Sequence, residues 1–498
     1  MTAFLAFLAL LLPSPASAAA LPAADRVLNV CDDVQDPLTL DPHKQFAEKN
    51  HTLLQQMYEG LVRFDAQGRI EPALAVSWER MGPLRMRFHL RKGVRFHNGD
   101  PFDAESVRYT VARYVDPKTG FPALGFISSL DKVEIVDEHT VDVLTKVPDG
   151  LLLNRLAGFV LIVPPRYMEE NGDGALEGFP VGTGPFRFGS RQLGRSLTMI
   201  RNETYWNPGY PKVDGLVFKF IPTGEQLRAL LSGEIDIATE LAGTQTTEAM
   251  RSGRLKVIKA PSFYTVTGSL DSANGPLSDK RVRQALNYAV NTEELIRYDL
   301  LGNGREIATV TMQGEEGHNR LLRPYPYDRS KAIRLLKDAG YPSGFTLKTL
   351  VKVQGERAAK IIGEHLAKVG VTLDPHLVTD ADVVKTLTGE RWDMFIAGCP
   401  DPMAHSYFIQ SIYLYGHSPY RVAKNPSYDA LLEGMAAELD NDRRRELAES
   451  LDRYMYDEAL LLFLYQRVKT YGVRKGVEFA PSITGMPYFF GVSKGGNR

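Results

Sequence analysis

The chain has 498 residues, of which 44% are hydrophobic and 24% are charged, and its formal net charge is -1. Single hydrophobic cores rarely grow past about 250–300 residues, so the length predicts two or more lobes. The near-neutral charge, with no long block of like charge, argues against a nucleic-acid partner and against binding to a membrane surface.

The amino terminus has the pattern of an export signal. An apolar stretch from Phe4 to Leu12 is followed by two prolines and the small-residue pattern Ala16-Ser17-Ala18, which is typical of a cleaved signal peptide. The stretch is too short to span a membrane, and no later run of about twenty apolar residues occurs. We therefore interpret residues 1–18 as a signal peptide and expect an exported, periplasmic protein with no membrane insertion.

The mature chain opens with a strand and a helix. The pattern predicts a strand at Arg26–Cys31 and a helix from about Ala47 to Tyr58. Ligands of open α/β sheets gather beyond the carboxyl ends of strands. Cys31 and Asp32, at the end of this strand, are therefore candidate ligand-binding residues.

A half-exposed strand, a capped helix and a hairpin follow. Apolar and polar residues alternate from Arg85 to Leu90, with period two. Asp103 is placed to cap a helix. The next apolar positions predict a hairpin in which Val133 and Ile135 face Val141 and Val143.

Two later sections show an alternation of strands and helices. In the first, Leu216–Ile221, Glu225–Leu231 and Ile235–Ala238 read as β-α-β, which favours a parallel sheet. In the second, a helix from Asp279 precedes helices at Ser330–Ala339 and Arg357–Val369 and strands at Phe345–Val351, Val371–Leu377 and Met394–Ala397. Strand-like segments at Phe263–Leu270 and Leu460–Val473 connect the two sections. Two α/β lobes joined by paired crossing segments suit hinge closure about a ligand.

The predicted strand Met394–Ala397 leads into the most informative loop. Gly398, Pro400 and Pro402 are expected to end the strand and force a turn. The turn would deliver polar and sulfur side chains to the edge of the sheet, namely Cys399, Asp401, Met403, His405 and Tyr407. The alternative is that the prolines only shape a surface turn.

The run from Glu71 to Phe102 resembles the signature of the family 5 extracellular solute-binding proteins, which are the peptide, nickel and oligopeptide-binding subunits of ABC importers. It reads Pro-x-Leu-Ala-x-Ser-Trp and then Phe-x-Leu-Arg-x-Gly-Val-x-Phe-His-x-Gly-x-Pro-Phe. The same pattern is matched by further segments in order along the chain, namely Gly182–Phe186, Arg201–Trp206, Leu230–Asp236, Asp279–Ala289 and Ala332–Tyr341.

The resemblance implies the α/β two-lobed fold of periplasmic binding proteins (class II, large type), with an extra domain inserted in the first lobe. We call residues 19–60, 181–270 and 461–498 the first lobe, residues 61–180 the inserted section (domain II), and residues 271–460 the second lobe (domain III). It also implies a monomer that binds a small-molecule or peptide-like ligand and presents it to membrane permease subunits of an ABC importer.

The chain departs from peptide-binding members in two places. Gly398 stands where the resemblance implies an Asp that holds the α-amino group of a peptide, and Asp401 follows three residues later. The basic residue that dipeptide binders have after the strand matching Phe345–Val351 is not evident in the short loop Gln354-Gly355-Glu356. Asp401 could instead pair with a cationic ligand group, or cap the following turn.

Metal binding is an alternative for the same loop. Cys399, Met403, His405 and His417 are soft or borderline metal donors, and nickel-binding relatives are similar overall. The spacing matches no closed metal site, however. We therefore predict no cofactor and no metal ligand, and keep a metal chelate as the alternative cargo.

The remaining candidates each have a structural alternative. Tyr264, Tyr407 and Tyr465 are predicted to line the cleft but could be core residues. Gly182 and Thr183 are predicted to approach the ligand, or only to let the backbone pass close to a neighbour. Cys31 and Cys399 could form a disulfide or remain separate buried thiols.

The chain carries none of the common sequence patterns of an enzyme active site. The chain has no Gly-x-Ser-x-Gly elbow, His-Glu-x-x-His helix or phosphate-binding loop. The sequence thus predicts a non-catalytic binding protein for a peptide-like or modified-peptide solute. A sensory or chaperone-like binding protein without a transport role is the alternative of a different class.

Overall fold

The computed structural model describes residues 24–32 and 36–495. The predicted signal peptide lies outside the described residues. Within them, no helix is both long enough and apolar enough to cross a membrane.

The first part of the chain contains one strand of the main sheet and two separate small sheets. Its elements are β1 (Val27–Cys31), α1 (Glu48–Leu54), β2 (Val62–Phe64), β3 (Ile70–Pro72), β4 (Ala75–Gly82), β5 (Arg85–Leu90), α2 (Ala104–Val115), β6 (Leu130–Asp137), β7 (Thr140–Thr145), α3 (Leu152–Phe159), α4 (Pro165–Asn171) and α5 (Ala175–Gly178). The two-stranded sheet β2-β3 and the four-stranded sheet β4-β5-β7-β6 are antiparallel and lie wholly within the inserted section.

Local sequence signals explain two of these elements. The Asp103 carboxylate accepts a hydrogen bond from the Ser106 N–H (3.0 Å), and the Ser106 hydroxyl faces the Asp103 N–H, which forms a capping box at the start of α2. The β6–β7 hairpin pairs Val133 with Val143 and puts Ile135 opposite Val141, so the predicted register is confirmed.

The next section completes the sheet of the first lobe. Its elements are β8 (Phe186–Gln192), β9 (Ser196–Arg201), β10 (Gly215–Lys219), α6 (Gln226–Ser232), β11 (Ile237–Ala238), α7 (Gly243–Arg251) and β12 (Leu255–Leu270). β10 and β11 both pair with β1 in parallel, one on each side. The predicted parallel β-α-β arrangement is therefore confirmed.

The second lobe has its own group of parallel strands. Its elements are α8 (Lys280–Ala289), α9 (Thr292–Asp299), β13 (Gly304–Glu306), α10 (Arg329–Asp338), β14 (Phe345–Lys352), α11 (Glu356–Ala367), β15 (Val371–Val378), α12 (Val383–Gly389), β16 (Met394–Pro400), α13 (Tyr407–Tyr413), α14 (Pro426–Ala437) and α15 (Asn441–Asp457). β14 lies between β15 and β16 and is parallel to both.

Two long strands connect the lobes. The chain ends with β17 (Leu461–Arg474), β18 (Val477–Glu478) and β19 (Ser493–Lys494). β17 runs antiparallel to β12 from the pair Leu255 and Arg474 to the pair Ser269 and Leu461. β17 also pairs with β11 in the first lobe, and β12 pairs with β16 in the second. One sheet, in the order β15-β14-β16-β12-β17-β11-β1-β10-β9-β8, thus passes through both lobes.

Two predicted strand boundaries differ from the structure by three residues or more. β12 begins at Leu255 rather than Phe263, because β17 supplies pairing partners up to Arg474 and Pro261 falls at a register shift. β16 continues through Gly398 to Pro400, because β12 pairs alongside it as far as Tyr264. The loop therefore starts at Asp401, three residues later than Gly398.

The limits of the two lobes and the inserted section stay predictions. Each of the four limits falls between regular elements: after α1, after α5, after β12 and before β17.

The start of β14 gives a testable packing constraint. Gly344 and Gly370 each precede a strand, and both have positive φ, of 76° and 87°. A Cβ at Gly344 would overlap the carbonyl oxygen of Gly370, whereas a Cβ at Gly340, which also has positive φ (93°), would meet open space.

We expect Gly340→Ala to lower stability by about 1–2 kcal/mol, the cost of left-handed backbone for a residue with a Cβ. Gly344→Ala should lower the melting temperature further, because the strands must also separate. Equal melting temperatures of the two variants in thermal denaturation would contradict this packing.

Candidate functional site

A cavity of about 230 Å³ lies between the two lobes. One wall comes from the first lobe and the inserted section, and consists of Phe46, Pro122, Ala123 and Phe126. The opposite wall comes from the second lobe. There, β14 and β16 contribute Lys352, Phe395 and Cys399, and α13 with its following loop contributes Phe408, Ile412, Tyr413 and Tyr420. A solute in this cavity would contact both sides at once.

Aromatic rings meet across the cavity. The ring centroids of Phe126, from the inserted section, and Phe408, from the second lobe, are 4.5 Å apart. Phe126 also stacks on Phe159 at 5.6 Å, and Phe395 lies edge-on to Tyr413 at 6.1 Å. These separations are typical of favourable aromatic pairs, so the walls hold each other through apolar surface.

Lys352 is the charged side chain among the described residues that line the cavity. It is the last residue of β14, its side chain is 24% exposed, and its Nζ lies 2.8 Å from the Asp380 carboxylate. The sequence interpretation missed it, because the strand was expected to end at Val351 and the basic residue was sought in the loop. The available signal was the apolar pair Leu350-Val351 at the end of the predicted strand, followed directly by a lysine.

Two larger cavities in the described part of the chain each belong to the second lobe alone. One, of about 760 Å³, is an open groove between residues 313–321 and α15. The other, of about 450 Å³, lies beside residues 421–424. Neither has a wall from the first lobe, so lobe closure would not enclose a solute in them.

The two cysteines are separate thiols, so the disulfide alternative is not what the structure contains. Cys399 lines the cavity. Cys31 is fully buried in a small core with Leu227 and Leu230, and its Sγ lies 3.5 Å from the Ile221 carbonyl oxygen. Cys31, a candidate ligand-binding residue from the sequence, therefore lies away from the cavity that Cys399 lines. Asp32 is also buried, and its carboxylate accepts a hydrogen bond from the Thr239 hydroxyl.

Gly182 and Thr183 lie against the body of the first lobe. A Cβ at Gly182 would overlap the Met57 carbonyl oxygen, so this glycine permits a close backbone approach. The Thr183 hydroxyl donates to the buried Glu59 carboxylate (2.9 Å), which also accepts from Tyr205 and Trp206. Both residues therefore have a structural role, which was the alternative interpretation, and neither lines the cavity.

Tyr264 occupies the space beside Gly398. A Cβ at Gly398 would lie 2.5 Å from Cε1 of the Tyr264 ring. The Arg467 guanidinium lies over the same ring at 4.9 Å from its centroid. Tyr465 lies on β17, as Arg467 does. It is buried and donates its hydroxyl to Asp299 (3.0 Å). No side chain can be added at position 398 unless Tyr264 moves.

Asp401 is committed to its own turn. It is 1% exposed, and its carboxylate accepts the N–H groups of Met403 (2.8 Å) and His405 (3.2 Å). Asp401 therefore caps the turn that follows it, which was the alternative interpretation. Its carboxylate is not exposed to a ligand in the cavity.

Tyr407 contacts the inserted section and His405 is buried next to it, and neither residue lines the cavity. Burial, with the charges of Arg444 and Arg155, lowers the pKa of His405 to about 3, so its ring is neutral. Its Nδ1 accepts the Tyr407 N–H (3.1 Å). The Arg155 guanidinium lies 4.7 Å from the centroid of the Tyr407 ring. Among the described residues, no group of three or more His, Cys, Asp or Glu side chains is arranged to hold a metal ion.

The loop that follows β16 rests on α3 of the inserted section. The Asn154 side-chain amide donates to the Met403 carbonyl (2.9 Å). A Cβ at Gly158 would lie 2.5 Å from the Pro402 carbonyl oxygen, so only glycine permits this approach. The strand that supplies Cys399 to the cavity therefore continues directly into a contact between the lobes.

A pair of buried carboxyl groups supports this loop. Asp401 and Glu315 share a side-chain hydrogen bond, which requires one proton between them. Burial raises the pKa of Asp401 to about 7. Burial and the neighbouring Asp401 charge raise the pKa of Glu315 well above its usual range. Asp452, where burial raises the pKa to about 6, adds to the same cluster.

Comparisons with known proteins agree with this architecture. A family model described as bacterial extracellular solute-binding proteins, family 5 Middle, matches residues 69–419. The glutathione-binding protein GsiB of Pectobacterium atrosepticum is 30% identical over 339 residues, which cover 67% of this chain and 66% of that protein. GsiB of Escherichia coli is 27% identical over the same shares. The match thus spans slightly less than two thirds of these relatives.

Solved structures show the same fold over nearly the whole chain. NikA from Brucella suis in complex with Fe(III)-EDTA has a TM-score of 0.83, with 24% identity and coverage of 94% of this chain and 99% of that one. The periplasmic binding protein DppA from Helicobacter pylori, in complex with the peptide STSA, has a TM-score of 0.79, with 24% identity and coverage of 94% and 98%. The predicted two-lobed α/β fold is confirmed.

The raised pKa values of Asp401 and Glu315 make the stability of the protein depend on pH. Carboxyl groups whose pKa is raised by folding stabilise the protein fully below their unfolded pKa, near 4, and this contribution is lost as pH rises through the folded pKa. We expect this cluster to contribute a fall in stability of roughly 2–4 kcal/mol between pH 5 and pH 8. Buried histidines such as His405, whose pKa is lowered to about 3, contribute a rise over the same range, so the fall is measured as the difference between wild type and a variant of the pair.

Glu315→Gln should flatten this fall, because the amide can donate to Asp401 without a titrating proton. Glu449→Gln, which removes one carboxylate from an exposed position of α15, is the matched control and should keep the wild-type slope. Parallel slopes of Glu315→Gln and wild type in calorimetry would show that the pair does not share a proton.

Proposed function

We propose, from the premise that this chain belongs to the bacterial extracellular solute-binding proteins of family 5, that it captures a small solute between its lobes and delivers it to an ABC importer. The observation that carries the proposal is the cavity whose walls come from opposite sides of the crossing strands. On this proposal the partner is the permease in the membrane, the protein acts as a periplasmic monomer, and no reaction is catalysed.

Closure would follow from differential binding. β12 and β17 are paired with each other and with both lobes, so they are the elements about which the lobes would rotate. A solute that contacts Phe126 on one wall and Lys352 on the other binds the closed form better than the open form. Such a solute shifts the population toward the closed form, which is the form presented to the permease.

The cargo on this proposal is a peptide-like or modified-peptide solute. The named relatives support this class, since GsiB is a glutathione-binding protein and DppA was solved with a peptide. The second candidate is a metal chelate or another small organic solute. It is favoured by the likeness to NikA in complex with Fe(III)-EDTA and to AgaA, a binding protein from A.tumefacien R10 in complex with agropinic acid.

Native mass spectrometry of the protein as purified tests the proposal, because a closed cavity retains its cargo. We expect a single small solute per chain. Deletion of the gene should abolish uptake of that solute by the native cell. Uptake that is unchanged in the deletion strain would contradict the transport role and favour the sensory alternative.

Cys399 provides a direct probe of cavity occupancy. The protein without cargo should be alkylated by iodoacetamide at Cys399, which lines the cavity, but not at Cys31, which is fully buried. The solute released from the purified protein, added back at about ten times its Kd, should slow alkylation of Cys399 about tenfold by mass action.

The readout is the mass of the modified peptide after digestion. Cys399→Ser is the control and should leave the folded protein without a labelled thiol. Equal labelling rates of Cys399 with and without the solute would show that the solute binds elsewhere.

A further inference from the structure

The described residues that line the cavity include a positive charge and no negative charge. The positive charge is that of Lys352. Its partner Asp380 has a side chain that is 63% exposed, so it lies on the solvent side of the ammonium group. An ammonium group has three donors, so a contact with Asp380 leaves donors for an anion in the cavity. A buried anion without a cationic partner such as Lys352 would be strongly disfavoured.

The polypeptide offers no acid to a cationic cargo group at this wall. Gly398 has no side chain, and the Tyr264 ring fills the space beside it. The Asp401 carboxylate is buried and accepts hydrogen bonds from its own turn. Desolvating a cargo ammonium against these residues would therefore go uncompensated.

The rest of the wall favours a flat apolar body with a neutral polar group. Six aromatic side chains line the cavity: Phe46, Phe126, Phe395, Phe408, Tyr413 and Tyr420. The Tyr413 hydroxyl and the Cys399 thiol are partners of each other, and the Tyr420 hydroxyl is a neutral donor or acceptor suited to an amide. The volume of about 230 Å³ is below the roughly 300–1,000 Å³ of pockets for drug-sized ligands. The cargo must therefore be compact.

We infer that the cargo is a compact monocarboxylate with an aromatic or otherwise apolar body and no ammonium group, of the kind of an N-acylated amino acid. Lys352 is the residue that selects the carboxylate. The inference rests on the proposed function and narrows its peptide-like class to solutes whose amino group is blocked.

Isothermal titration of the mature protein, freed of retained cargo by unfolding and refolding, tests this. The probes are N-acetyl-phenylalanine, phenylalanine, N-acetyl-phenylalaninamide and the dipeptide Ala-Phe. N-acetyl-phenylalanine should bind at least about tenfold more tightly than each of the others, since each lacks the carboxylate or adds an ammonium.

Lys352→Met should weaken binding of N-acetyl-phenylalanine about tenfold or more and leave the amide unchanged. Lys348→Met is the matched control. Lys348 is on the same strand, but its Nζ lies over the Trp392 ring at 4.4 Å and contacts Glu390, away from the cavity. It should keep the wild-type preference. Melting temperatures of the two variants close to wild type show that both are folded.

Tighter binding of phenylalanine or Ala-Phe than of N-acetyl-phenylalanine would overturn the inference and leave the proposed function in place. Failure of every probe to bind at millimolar concentration would also overturn it. The proposed function fails by a different result, namely unchanged uptake in the deletion strain of whatever solute the purified protein carries.

Discussion

The pairing of β12 with β17 is the constraint on which both lobes depend. These strands hold one another over most of their length, and each also pairs with a neighbour in a different lobe. The sheet is therefore continuous, and the lobes cannot separate without breaking its backbone hydrogen bonds. They can only rotate about the pair. The register shift between Pro261 and Thr265 falls inside it, where regular pairing is already interrupted.

The segment after β16 connects the cavity to the inserted section. Cys399 faces the cavity, Asp401 shares a proton with Glu315, and the Met403 carbonyl accepts from α3. These roles fall within five consecutive residues, so the position of the cavity wall and the contact between the lobes are set together. A buried carboxyl pair at this point holds the turn by hydrogen bonds while its net charge stays low, which avoids much of the penalty of burying two charges.

Most of the fold could be predicted from the sequence, because period-two and helical patterns are local. The facing of Val133 and Val143 is an example. What failed depended on partners distant in the chain. β16 runs past Gly398 because β12 lies beside it, and Asp401 is satisfied by its own turn and by Glu315, far away in sequence. Of the ten predicted site residues, Cys399 lines the cavity, and Tyr264 lies beside Gly398. Lys352 was missed because β14 was predicted to end at Val351, one residue too early.

The inserted section brings a further consequence. Pro122, Ala123 and Phe126 come from the connection between α2 and β6, which belongs to no strand of the main sheet. Substitution or change of length in this connection would reshape one wall of the cavity without disturbing the crossing strands. The connection between α2 and β6 can therefore change in evolution while β12 and β17 stay the same. Descendants of this chain could bind different cargo and still close about the same pair of strands.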